Sequence, residues 1–433
     1  MAERAGMSLK DRIAAANRLA MARIEAANPV WTDVRPAIDV LPGMTRTTVL
    51  HAGPPIAWDD MCGPQKMGVV QAVLHEGLAR DEAGAEALIR DGAITVAPCH
   101  EYGAVGGMAG ITSASSPMAV VHDPVHDVTG CSQLFQGPAA GLQDRDRYNA
   151  EARKRWRWLE EVLGPALGAA IRARGGLPVK PLMGRALEMG DECHNRNAAG
   201  TLLLLNALVQ DLIRTSPPDR LGEVLAYFRE NEQVSLVLSM AAAKAMGAAI
   251  SGIPDCSIVT AMCRNGVEFG IRVSATGDRW FTAPANRIEG LYFSSEWGDD
   301  DAVPDIGDSA IMETIGLGGH AQAAAPVLQQ FVAGSFARAT AMVDEMAQIT
   351  QGRLTQFKIA PLDFAGAPVG IDIRKVVQTR ITPVIDTAIA HRKGGVIGAG
   401  QTRAPFGCFA DALRAFSDTC QEVSPDAPAA QRP

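Results

Sequence analysis

The chain opens on a helical pattern. Ile13, Ala16, Ala20 and Ile24 recur at three- and four-residue spacing, and Ser8 followed by Asp11 reads as a capping box, with a stop at Pro29. This stripe predicts a helix that lies on a neighbouring domain or a second subunit. The pattern then alternates as far as about residue 147. Short apolar runs at 47–50, 93–97 and 118–121 predict strands, and Gly63-Pro64 opens a helix carrying Val69, Val70, Val73 and Leu74. Between 148 and 252 the strand signal disappears. Four helical patterns follow one another, at 153–174, 182–215, 221–231 and 234–250, separated by Gly-Gly, Pro-Pro or polar breaks. Beyond Asp255 strands return: 257–262 and 267–274 flank Arg264-Asn265-Gly266, and Asn-Gly between apolar runs predicts a hairpin. An Ala-rich helix is expected near 322–333, strands near 357–360 and 384–389, and a closing helix at 406–416.

The pattern predicts an α+β fold, two α/β regions with an intervening helical domain. The expected division is an N-terminal helix for docking or oligomerisation (1–28), an α/β domain (29–147), a helical domain (148–252), a second α/β domain (253–420) and a disordered tail (421–433). A chain of 433 residues is too long for one ordinary core, which agrees with several units. Its net charge of −8 excludes a basic nucleic-acid footprint and attraction to an anionic membrane. No run of about 18 apolar residues predicts a membrane span, and the N-terminus lacks the apolar stretch of a signal peptide. The eight Cys stand singly with no CxxC pair, the usage of a reducing compartment, so a cytoplasmic protein is expected.

The strongest candidate for chemistry is Gly190-Asp191-Glu192-Cys193-His194-Asn195-Arg196-Asn197, a polar octet inside an otherwise apolar helical pattern. Unpaired polar groups there would cost about 1–3 kcal/mol each. They therefore form either a structural network or a ligand site offering acid, base, amides and guanidinium together. A second candidate is Cys99-His100-Glu101-Tyr102 with the Gly103–Gly110 loop, placed where a strand's carboxyl end presents a site, with glycines that offer an anion nest. The alternative is a plain Gly-rich turn. Third, Arg264, Asn265, Arg272 and Arg279 gather cations around the hairpin, suited to carboxylate or phosphate or else to a buried ion pair. Fourth, Asp308 and Ser309 precede a predicted helix, as a cap or as part of an anion site.

Several longer stretches together resemble the bacterial YlbE-like family, also called AllG. They are LHAGPPIAWDDMCGP (50–64), PCHEYGAVGGMAG (98–110), MGDECHNRNAAG (189–200), LSMAAAKA (238–245), NGVEFGIRVSATGDRWFTAPA (265–285), PDIGDSAIMET (304–314) and GIDIRKVV (370–377). The resemblance implies α+β domains around a small helical one. It also implies a part in carbamoyl chemistry of purine or allantoin nitrogen, as a subunit of an oxamate carbamoyltransferase working with an FdrA-like partner. The substrate would be a small carbamoyl or ureido compound such as oxalurate, with carbamoyl phosphate. It brings no list of catalytic residues.

On the residues themselves, His194 and His100 are the expected acid–base groups, oriented by Asp191 and Glu101. Arg196, Arg264 and Arg279 are the expected anion clamp. Glu192, Asn195, Asn197, Asn265, Asp308 and Ser309 complete the expected substrate site. No cofactor and no metal are expected, and a homo-oligomer is. Two other readings stand beside this one: a non-catalytic scaffold subunit and a metal-dependent amidohydrolase.

Overall fold

The structure, a computed structural model, describes residues 7–108, 110–137, 150–332 and 334–422. The expected disordered tail falls almost wholly outside them. At the centre lies the helix Val234–Ala249, in which thirteen of sixteen residues are buried. A helix that is apolar all round has no solvent face and belongs inside. Its small side chains let two sheets approach its backbone. A Cβ on Gly130, in the strand Val128–Gln133, would lie 2.2 Å from the Ala241 carbonyl oxygen, and one on Gly247 would lie 2.4 Å from that of Thr260. Both glycines are required by close approach.

One of those sheets has five strands, in the order Ala104–Val105, Val128–Gln133, Pro117–Asp123, Val30–Pro36 and Leu177–Pro178. The other has four: Phe281–Pro284, Glu268–Val273, Val259–Asn265 and Ile306–Gly307. The predicted hairpin is its middle pair, with Phe269 opposite Arg264 and Gly266 at φ +80°. In a small third sheet, Thr48–His51 runs parallel to Thr95–Pro98, so both carboxyl ends point one way. The remaining sheets are Glu289–Tyr292 with Val396–Arg403 and Val384–Ala390, and the pair Thr350–Ile359 with Ala365–Ile371. The fold is α+β, as the pattern predicts.

Three expectations change. The helix expected over 182–215 is two helices, Val179–Glu188 and Ala198–Thr215, so the polar octet occupies the turn between them. The Ala-rich stretch near 322–333 forms short 3-10 turns because Pro326 interrupts it, and the long helix follows at Phe336–Ile349, capped by Ser335. The N-terminal helix Leu9–Ala26, capped by Ser8 as predicted, is covered by its own chain. Its buried side faces Val234–Ala249 and Thr350–Ile359, and Asn17 donates to Ser257 Oγ at 2.9 Å. The apolar stripe is therefore no argument for a second subunit. Among the described residues no helix is long and apolar enough to cross a membrane.

Candidate active site

Arg264 is the penultimate residue of the strand Val259–Asn265, and its side chain is wholly buried. Its guanidinium forks onto Asp305, with Nε to Oδ2 at 2.7 Å and Nη2 to Oδ1 at 2.9 Å. Nη2 also donates to Thr387 Oγ1 at 2.9 Å, and Nη1 donates to the Gly307 carbonyl at 2.7 Å and Ser309 Oγ at 3.1 Å. All five donors of the guanidinium are thereby used inside the chain. Arg264 is a structural hub and has no donor left for a substrate anion. Arg279 lies two residues before Phe281, which pairs with Ile271 towards the opposite end of the same sheet, and it packs on Phe281. Arg196 projects at the surface, 41% exposed, with Nε 3.5 Å from Asp191. The expected three-arginine clamp does not form. Asn265 serves the hairpin: its Oδ1 accepts from the N–H groups of Val267 and Glu268, and its Nδ2 donates to the Pro54 carbonyl.

The octet turns through Gly190 at φ +100° and Cys193 at φ +65°, which ends helical continuity. Most of its polar groups serve that turn. The Glu192 carboxylate accepts from the backbone N–H groups of His194, Asn195 and Arg196. Asp191 Oδ2 accepts from Gly200 N–H at 2.8 Å in the first turn of Ala198–Thr215, where the helix dipole favours an anion. Asn197 donates to the His194 carbonyl and to Gln233, and Asn195 donates to the carbonyls of Thr387 and Gly400.

Two carboxylates distant in sequence, Glu313 and Asp386, join this turn, and sequence reasoning missed both. His194 Nδ1 lies 2.8 Å from Glu313 Oε1, which also accepts from Gly319 and Asp386 N–H. Burial brings His194 down to about 3, assisted by Arg264, and pushes Glu313 well above the carboxylate range. Burial likewise raises Glu192 and Asp386, and each resists the charge of its acidic neighbour. Burial thus disfavours charge on each of these groups.

His100 stands in a 3-10 turn, Cys99–Tyr102, at the carboxyl end of Thr95–Pro98. Lys244 reaches it from the central helix, with Nζ 3.3 Å from Nδ1 and 3.1 Å from the His100 carbonyl oxygen. An ammonium only donates, so Nδ1 accepts and Nε2 carries the ring proton. Nε2 lies 3.7 Å from Asp308 Oδ1. Asp308 accepts from Gly53 N–H at 2.6 Å and Gly106 N–H at 2.8 Å, while its own N–H donates to the Gly106 carbonyl. The Gly106 N–H is therefore taken by Asp308 and is not part of an open anion nest. Asp308 is no helix cap either. Glu101 lies outside the buried cluster, 4.0 Å from Arg272 and 41% exposed.

Burial lowers His100 well below its usual value, with Lys244 and Arg272 adding to the effect. Burial also raises Asp308 to about 7 and lowers Lys244 to about 8. Both groups therefore titrate near neutrality, the range that suits proton transfer. One ligand atom each from His100, Cys263 and Asp308 lies within 4.8 Å of the others, a donor set of the kind that holds zinc. The cations Lys244 and Arg272 beside the same imidazole oppose a metal there. Lys244 and Cys263 were missed in sequence. A lone Lys in a helix of thirteen buried residues was the available signal.

The structure thus joins Asn195, Arg264 and Ser309 through Thr387 and Asp305 into one polar system, ties His194 to it through Glu192, and sets His100 beside Asp308. It leaves Arg196, Arg279 and Glu101 at its edges. A family model described as oxamate carbamoyltransferase subunit AllG matches residues 94–309, the stretch that holds most of that system. The chain is 43% identical over 413 residues to the oxamate carbamoyltransferase subunit AllG of Escherichia coli K12, covering 94% of this chain and 98% of that one. It is 42% identical over 415 residues to the uncharacterized protein YahG of the same organism, covering 94% and 86%. A crystal structure of a conserved protein of unknown function from Enterococcus faecalis V583 superposes with a TM-score of 0.93 at 42% identity, over 95% of this chain and 99% of that one. Agreement over nearly the whole length, in sequence and in fold, places this chain in the AllG family.

Proposed function

We propose that this chain is a subunit of a carbamoyltransferase. It would move a carbamoyl group between a small ureido-carboxylate, such as oxalurate, and carbamoyl phosphate, in purine or allantoin nitrogen metabolism. The relation to an oxamate carbamoyltransferase subunit along nearly the full length carries this reading. In the direction of carbamoyl phosphate formation, a phosphate oxygen attacks the carbamoyl carbon and the carbon–nitrogen bond breaks. The departing amide nitrogen takes a proton, giving oxamate. That reaction needs a donor for the carbonyl oxygen and a proton source at the nitrogen. The His100 Nε2–H suits the first. Lys244, held near neutrality and hydrogen-bonded to the same imidazole, suits the second. Asp308 suits an acceptor role towards the carbamoyl NH2 group.

The chain would act in the cytoplasm, assembled with an FdrA-like subunit. The test is to purify the two together and measure carbamoyl phosphate made from oxalurate and inorganic phosphate. Turnover that disappears with His100→Asn is the expected result. A stable complex with neither turnover nor binding of carbamoyl phosphate points instead to the second reading, a scaffold subunit. That reading draws support from the octet, whose groups largely satisfy one another.

A further inference from the structure

Buried hydrogen-bonding groups without partners cost about 1–3 kcal/mol each, so a cluster of them marks a place that another molecule completes. One such cluster surrounds His100. His100 Nε2, Arg272 Nε and Trp280 Nε1 are all buried, and none has a hydrogen-bond partner among the described residues. They are neighbours: the His100 and Trp280 rings are 5.3 Å apart, edge to face, and the Arg272 guanidinium lies 4.3 Å from the Trp280 ring centre. All three are N–H donors, and the Lys244 ammonium stands against the same imidazole. What is missing is an acceptor, and beside two cations that acceptor is an anion.

We infer that Arg272 and Trp280, beside His100, bind the anionic end of the substrate, a small carboxylate or phosphate that carries a carbamoyl group. This rests on the function proposed above. Asp278 holds the place of that anion. Its carboxylate pairs with Arg272 Nη1 at 3.1 Å, yet its side chain is 91% exposed. An ion pair so open to water contributes about 0–1 kcal/mol, so exchange of this carboxylate for a ligand's costs little. Stacking on Trp280 fixes the plane of the guanidinium and so the direction of its fork. Deeper in, the carbamoyl end meets a matching pair. Its C=O and NH2 groups present an acceptor and a donor side by side, the complement of His100 Nε2–H and Asp308 Oδ1, 3.7 Å apart.

The experiment is isothermal titration of the full chain, alone and assembled with its partner subunit, using carbamoyl phosphate and inorganic phosphate as probes. Arg272→Lys keeps the charge and loses the fork, so affinity should fall at least about tenfold. Trp280→Phe keeps an aromatic ring and deletes the orphan donor, so affinity should fall about threefold. Arg279→Lys, outside the cluster, should bind as the wild type does. Circular dichroism of each variant checks the fold. Wild-type affinity in both Arg272→Lys and Trp280→Phe overturns the site and leaves the proposed function standing. No binding by the wild type in either state overturns both. One equivalent of zinc in the purified protein, lost in Cys263→Ser, also overturns the substrate site, because His100 Nε2 and Asp308 would then be metal ligands.

Discussion

Arg264→Met places a long apolar side chain where the hub guanidinium stands, and the cost follows from its contacts. Five donated hydrogen bonds disappear. Asp305, itself fully buried, keeps only the Thr387 hydroxyl on Oδ1, and its Oδ2 loses the donor that Arg264 supplies. Removing one partner of a buried ion pair costs about 3–5 kcal/mol, mostly because the other charge stays buried without compensation. Against a typical total of about 5–15 kcal/mol, that is a large fraction. Urea unfolding followed by the fluorescence of the six Trp measures it. The double variant Arg264→Met, Asp305→Asn should regain about 1–3 kcal/mol, since the two residues act as one unit. A single-variant loss below about 1 kcal/mol, or no recovery in the double variant, would show that Arg264 and Asp305 do not act as a buried ion pair.

Other expectations follow from the same contacts. Burial raises Asp386 and Glu192 above their unfolded values, so the folded state holds protons that the unfolded chain releases. Their contribution is complete below the unfolded carboxylate range and is lost as pH rises through the raised folded values, by up to about 1.4 kcal/mol per pH unit for each group. Asp386→Asn should therefore reduce the fall in wild-type stability between pH 5 and 8.5. Parallel stability–pH curves for the two proteins would contradict this. The buried His51, His194 and His320 titrate with the opposite sign below about pH 6.5 and cancel in the comparison. Gly130→Ala drives a methyl group into the Ala241 carbonyl and should cost about 1–3 kcal/mol; an unchanged unfolding midpoint would show that the helix yields at that point.

Much of the fold was legible because local chemistry agreed with the final contacts. Asn265-Gly266 announced the hairpin, Ser8 and Asp11 the first helix, and the apolar run from Val234 the central helix. Periodicity failed where the backbone turns left. It carried one helix through Gly190 and Cys193, since a helical average does not register two positive φ angles. Ala-rich composition suggested helix at 322–333, although Pro326 prevents it and the helix begins only after Ser335.

The candidate site was half legible. The polar octet and the His100 turn both stood out as unusual runs. Their roles depended on partners far along the chain. Glu313 meets His194 across 119 positions, the Asp386 N–H donates to the same carboxyl, and Lys244 meets His100 across 144 positions. Arg264 looked like a free cation because Asp305 and Thr387 lie 41 and 123 positions away. Only packing reveals which donors are used and which are left over.

If carbamoyl transfer takes place at His100, as proposed above, His194 serves only to hold its own turn together. The direct measurement is kcat/KM for carbamoyl phosphate formation by the assembled complex, with His100→Asn and His194→Asn compared at a temperature where both are folded. Loss of one positioned donor to the reacting carbonyl oxygen costs about 10²–10³-fold in rate, and His100→Asn should show a loss of that size. His194→Asn should keep activity within about threefold and instead lower the unfolding free energy measured in urea, by about 1–3 kcal/mol for its buried contact with Glu313. The opposite pattern, turnover abolished by His194→Asn and intact in His100→Asn, would move the chemistry from His100 to the octet.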